Sequence, residues 1–104
     1  MSGPIDPANI DPVIHERVRL AIVSALAVAP EMSFNELRDT LALTDGNLSA
    51  HARTLEDAGY LKIKKTFEGR RPRTTMQLTR KGRGAFRKYL DTLKQIVERG
   101  EQRE

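Results

Sequence analysis

Asn47, Ser49 and Arg53 are the residues whose types and spacing best suit a defined chemistry. A carboxamide, a hydroxyl and a guanidinium can together donate to and accept from the edges of nucleic-acid bases. Asn matches adenine, Arg matches guanine, and the methyl of Ala50 between them suits the thymine methyl. Gly46 and Ala50 keep the surface low enough for close approach. If 44–58 is a helix, these side chains share a face. Leu48, Ala52 and Leu55 fall at i, i+4, i+7 as a narrow apolar stripe, with Gly46, Ala50, Arg53 and Asp57 opposite and Asn47, Ser49 and Thr54 at the flanks. Thr44 is a suitable N-cap and Gly59 a suitable stop. A solvated surface helix can look the same, so the rest of the chain has to decide. His51 lies about 60° from the stripe on an ideal wheel, where it would pack half-buried or touch a phosphate.

Other chemistries lack their parts. No nucleophile–base pair, glycine-rich phosphate loop or metal-ligand spacing is legible, so neither an enzyme nor a resident cofactor or metal is expected. Cysteine is absent and there are only two histidines. That excludes disulfides and thiolate sites and agrees with a reducing cytoplasm. No run of about 18 apolar residues suggests a membrane span, and the first residues lack a secretory pattern. With 104 residues, 38% hydrophobic and 31% charged, a single domain is expected.

Charge is sorted along the chain. Residues 1–59 carry a net −5 and residues 60–104 a net +9, while 62–88 hold 11 basic residues against Glu68 alone. A merely solubilising surface intersperses its signs. This segregation points to a polyanion met by one face.

The elements that would position these groups follow in order. Residues 1–10 read as a flexible arm. Asp11 as N-cap and Pro12 at N1 predict a helix over 12–29, stopped by Pro30, with Ile14, Val18, Ala21, Ile22, Ala25, Leu26 and Ala29 on one broad stripe. His15 belongs to the surface or an interface. Ser33 and Glu36 form a capping box for a helix over 34–42 that buries Phe34, Leu37 and Leu41. Leu43 bridges to the capped helix 44–58. Helix, tight turn and capped helix make a helix-turn-helix. The period then switches to two: Leu61 and Ile63 alternate with Lys62 and Lys64 in a strand over 61–67. A turn over 68–73 carries Arg70, Arg71 and Arg73, and a strand over 74–78 returns. Thr79 caps a last helix through Arg99, ended by Gly100. Its basic start (Arg80, Lys81, Arg83) opposes the helix dipole, a cost that points to phosphate ligands. Phe86, Tyr89, Leu90, Leu93, Ile96 and Val97 form a seam too long for a small domain to cover.

The runs Ser33-Phe34-Asn35-Glu36-Leu37, Leu43 to Ser49, Leu55-Glu56-Asp57-Ala58-Gly59-Tyr60-Leu61 and Leu78-Thr79-Arg80-Lys81-Gly82 resemble the MarR-like winged-helix transcriptional regulators, in particular a short single-domain branch from bacteria and archaea. The resemblance spans about residues 12–97. It implies a mainly α fold with a small β-hairpin (α-α-α-β-β-α), a winged-helix domain over 11–79, a dimerisation helix over 80–100 and a frayed tail at 101–104. It also implies a cytoplasmic homodimer that inserts 44–58 into the DNA major groove and rests the wing, 68–73, on backbone or minor groove. Asn47, Ser49, Ala50 and Arg53 would then read bases. Thr44, His51, Thr54, Lys62, Lys64, Lys65, Arg70, Arg71, Arg73, Arg80 and Lys81 would hold the backbone. Ile14, Val18, Phe86, Tyr89, Leu90, Leu93, Ile96 and Val97 would form the dimer contact. MarR proteins often bind small aromatic effectors between longer terminal helices; the short chain is compatible with an effector but does not indicate one. The related ArsR regulators sense metals through residue sets absent here.

The expected function is a sequence-specific regulator of transcription, a repressor acting on a pseudo-palindromic operator in double-stranded DNA. The alternative is a winged helix used for protein–protein contact or as a non-specific architectural module.

Overall fold

Two competing caps decide where the first helix begins. Asp11 does cap a turn, its Oδ1 accepting from the amides of Val13 (2.8 Å) and Ile14 (3.4 Å). That turn closes after one cycle. Helix α1 (Arg17–Val28) starts instead at Glu16, whose Oε1 accepts from the amides of Val18 and Arg19. The expected 12–29 helix is therefore shortened at its start, because the bend drops Ile14 into the interior, where it is fully buried. The structure, a computed structural model, describes residues 5–102. Within the expected arm, Pro7–Asn9 form a 3-10 turn capped by Asp6, and Asn9 accepts a hydrogen bond from Thr92. Residues 1–4 of that arm lie outside the described residues.

After Pro30, strand β1 (Met32–Ser33) pairs antiparallel with the wing, Met32 opposite Met76 and Ser33 opposite Thr75. Two residues carry no readable period, so only the cap at Ser33 was visible beforehand. The capping box forms as expected, Ser33 Oγ to the Glu36 amide and Glu36 Oε1 to the Ser33 amide. It opens α2 (Phe34–Thr40). Helix α3 (Asp45–Asp57) follows, with Thr44 Oγ1 accepting from the Asn47 amide.

α2 and α3 end in the same way. Leu43 donates to the Arg38 carbonyl and Ala42 to that of Asp39, and Tyr60 donates to Leu55 and Gly59 to Glu56. Both are Schellman closures with a left-handed residue at the turn. At Gly59 (φ +82°) that conformation is natural, whereas at Ala42 (φ +54°) a side chain is forced into it.

Strands β2 (Leu61–Glu68) and β3 (Arg71–Leu78) make the wing, and β3 is the middle strand of a β1-β3-β2 sheet. The connection is only Gly69 and Arg70, with Gly69 at φ +67°. This corrects the expected six-residue turn: Arg71 and Arg73 belong to a strand. Pro72 is tolerated because β1 pairs with β3 only at Thr75 and Met76, leaving no ladder partner on that side of the tip. Helix α4 (Arg80–Gln102) runs past Gly100, which does not end it, since the helix needs no left-handed residue there. The expected frayed tail is helical at Glu101 and Gln102, and residues 103 and 104 lie outside the described region.

The core lies where α1, α2 and α3 meet the inner face of the sheet. Ile22, Val23, Leu26, Leu37, Leu48, Ala52, Leu55, Leu61, Met76 and Leu78 are buried together there. Full burial of one such leucine stabilises the fold by about 2 kcal/mol. The stripe Leu48–Ala52–Leu55 is thus spent on the interior, which turns the opposite face of α3 outward. No helix among the described residues is long and apolar enough to cross a membrane.

Candidate nucleic-acid interface

Two sequence signatures meet at the base of the wing. Thr79 Oγ1 donates to the Gly59 carbonyl at 2.6 Å and accepts from the Gly82 amide at 2.9 Å. Gly82 sits so close to the backbone of Tyr60 that a Cβ there would lie 2.2 Å from its carbonyl oxygen. The end of α3, the start of β2 and the start of α4 are therefore clamped together. On the opposite side, Arg38 joins the helices of the helix-turn-helix, donating from Nε to Asp39 (2.9 Å) and from Nη1 to Asp45 (2.8 Å). Both carboxylates hold the guanidinium still more firmly protonated than usual. Asp45 opens α3, so this bridge fixes how that helix leaves the turn.

Asn47, Ser49, Ala50 and Arg53 are all exposed on the outer face of α3. A groove of about 740 Å³ separates this helix from the sheet. Ser49, Arg53, Glu56 and Asp57 line one wall, and Ile63, Lys65, Thr74 and Met76 line the other. Among the described residues Arg53 makes no ion pair, and neither do Arg70, Arg71, Lys62, Lys64, Lys65 or Arg80. Glu56 and Asp57 make the last turn of α3 acidic, beyond Arg53.

The structure sorts the basic residues more finely than the sequence did. Strand alternation puts Leu61, Ile63, Lys65 and Phe67 on the face turned to α3, with Leu78, Met76, Thr74 and Pro72 opposite them. Lys65 therefore shares the groove, while Lys62 and Lys64 project from the other face. Arg73 is not free: it pairs with Glu68 at 3.1 Å and Glu36 at 3.8 Å, tying the wing to the start of α2. Arg73 and the Ser33 backbone and hydroxyl contacts hold the Glu36 carboxyl below the usual range, the contacts to Ser33 dominating. Lys81 folds its ammonium over the Tyr60 ring, 5.8 Å from the centroid. Thr54 uses its hydroxyl proton on the Ala50 carbonyl. The Thr44 hydroxyl accepts the cap bond from the Asn47 amide.

Two expected dimer contacts need correction, while His51 takes the half-buried packing position expected as one of its two alternatives. It faces α1, its Nδ1 3.1 Å from Arg19 Nη1 and 3.6 Å from Glu16. Ile14 and Tyr89 are buried within the chain and have no surface to give a partner; the Tyr89 hydroxyl bonds His15 Nδ1 at 2.9 Å. Val18 and Phe86 also pack on the core, though incompletely. The apolar groups of α4 that stay open are Leu90 (47% exposed), Ile96 (38%) and Val97 (58%), beside half-buried Leu93. Sequence reasoning passed over two residues. Arg38 gave no signal without the turn geometry. Phe67 was counted into the strand, yet its two-residue spacing from Lys65 already placed it on the groove side. Among the described residues no three His, Asp or Glu side chains gather as a metal site would need.

Comparison with known proteins bears on this arrangement. Residues 18–97 match the family described as winged helix DNA-binding domain. The chain belongs to that family. An uncharacterized protein of Methanocaldococcus jannaschii is 36% identical over 84 residues, which are 81% of this chain and 91% of that one. A transcriptional regulator homologue from Pyrococcus horikoshii superposes with a TM-score of 0.76 at 34% identity, covering 83% of this chain and 85% of its own. MarR itself superposes at 0.70 with 20% identity over 80% of this chain and 60% of MarR, which shows a shared fold. The winged helix is thus MarR-like.

Proposed function

We propose that the protein is a homodimeric, sequence-specific repressor of transcription, with the outer face of α3 in the major groove and the wing on the flanking backbone and minor groove. The observation that carries this reading is the exposed, uncommitted face Asn47–Ser49–Ala50–Arg53, of which Ser49 and Arg53 share one groove with Lys65. Its side chains are fully available for base edges, because the apolar residues of α3 point into the core. Arg70, Arg71, Lys65 and Arg80 supply phosphate neutralisation, whose counterion release gives affinity independent of sequence. Two copies joined through the open part of α4 would set two such helices about one DNA turn, roughly 34 Å, apart. Bound over a promoter, such a dimer excludes polymerase.

The division of labour is testable by titrating cognate and random duplexes. Arg53→Ala should weaken cognate DNA by about tenfold or more, the equivalent of about 1–3 kcal/mol, and leave random DNA nearly unchanged. Arg71→Ala should weaken both alike and reduce the salt slope by about one. Equal losses on both duplexes for Arg53→Ala would remove it from base reading.

A further inference from the structure

The tip of the wing is not only basic. Phe67 is 74% exposed and faces Pro72 directly across the β2–β3 ladder, which is also exposed. They continue the face that carries Lys65, beyond the reach of α3. Arg70 and Arg71 follow at the turn without an ion pair among the described residues. A free strand end is normally blunted with charge or a bulge. Here an exposed aromatic ring and a proline ring stand side by side, Pro72 at the edge of a cavity it shares with the start of α2, with cations on their flank.

We infer that Phe67 and Pro72 form an apolar wedge that enters the DNA minor groove and unstacks a base step. This rests on the DNA-binding reading proposed above. Charge complementarity selects the occupant: Arg70 and Arg71 draw the tip to phosphates, and the wedge lies on the face already turned to the α3 groove. The two-residue turn keeps the tip slender. The minor groove is about 6 Å wide, so entry widens it and opens a step, as apolar wedges do. Deformation depends on sequence, and pyrimidine–purine steps such as TA open most readily. The wing would therefore add a preference for flexible steps that no hydrogen bond encodes.

The test uses the full chain and two 30-base-pair duplexes, one with central TA steps carrying 2-aminopurine in place of adenine, the other GC-rich. The wild-type protein should raise 2-aminopurine fluorescence on binding and favour the TA duplex. Phe67→Ala should bind it about tenfold more weakly, without the fluorescence rise and with an unchanged salt slope. Phe67→Leu should keep most of both. The exposure of the side chain leaves folding untouched in each variant. Phe67→Ala that matches wild type in affinity and fluorescence overturns the wedge while leaving the DNA-binding reading intact. Wild type that binds neither duplex overturns both. Self-association of the free protein that Phe67→Ala abolishes assigns the patch to a second copy and also overturns the wedge.

Discussion

Single residues hold the interface to the scaffold, and Tyr60 is the clearest case. Its hydroxyl donates to Asp11 Oδ2 at 2.5 Å, tying the segment before α1 to the base of the wing. The same Asp11 caps the preceding turn through its other oxygen. Accepting carboxylate, partial burial and the nearby negative charge push the phenol up to about 12. An unfolded tyrosine titrates near about 10. The folded value is the higher one, so this stabilisation is complete below about pH 10 and is lost as pH rises towards 12. Tyr60→Phe should therefore lower stability by about 1 kcal/mol at pH 8. Denaturant unfolding along a pH series should find the gap from wild type closing above pH 10; a gap of constant size would show that the Asp11 bond is not what Tyr60 contributes.

At the scale of elements, the helix-turn-helix rests on two Schellman closures that differ in one atom. Gly59 takes its left-handed conformation freely, while Ala42 carries a Cβ into the same region at φ +54°. Such a residue costs about 1 kcal/mol relative to glycine. Ala42→Gly should thus raise stability by about 0.5–1 kcal/mol, read as a higher urea midpoint at constant slope. A lower midpoint would mean that the turn is held by its Leu43 and Arg38 contacts and not limited by strain. This turn also shows what the sequence could reveal. Caps at Ser33 and Thr44, the stop at Gly59 and the switch to strand at Leu61 were legible because each is a local hydrogen-bonding or periodicity signal. The left-handed Ala42 was not, since an alanine carries no sign of that conformation; the two-residue β1 and the loss of Asp11 to a separate turn were not, since each has a partner distant in the chain. The exposed face of α3 was legible for a related reason: it is what remains of the helix after its apolar stripe is assigned. The fate of Arg73, Lys81 and His51 was not, because charge alone does not reveal which cations already have partners.

At the scale of the molecule, the principal extents of 58 × 24 × 21 Å describe a small body with a projecting rod. Gly82, Tyr89 and Thr92 bury one side of α4, as far as Thr92, in the chain's own fold, leaving Leu90, Ile96 and Val97 open from its middle onward. In the proposed homodimer a second copy covers them, and its two-fold axis would dictate the symmetry of the DNA site. The dimer and the reading face thus make one joint prediction, and selection of bound sequences from a random duplex pool at about 150 mM salt tests it most directly. The wild-type protein should return an inverted repeat with half-site centres about 10 base pairs apart. Leu93→Arg should sediment as a monomer and return one half-site only. Recovery of nothing beyond random sequence by the wild type would contradict base reading by α3, and a single unrepeated motif would contradict the dimer.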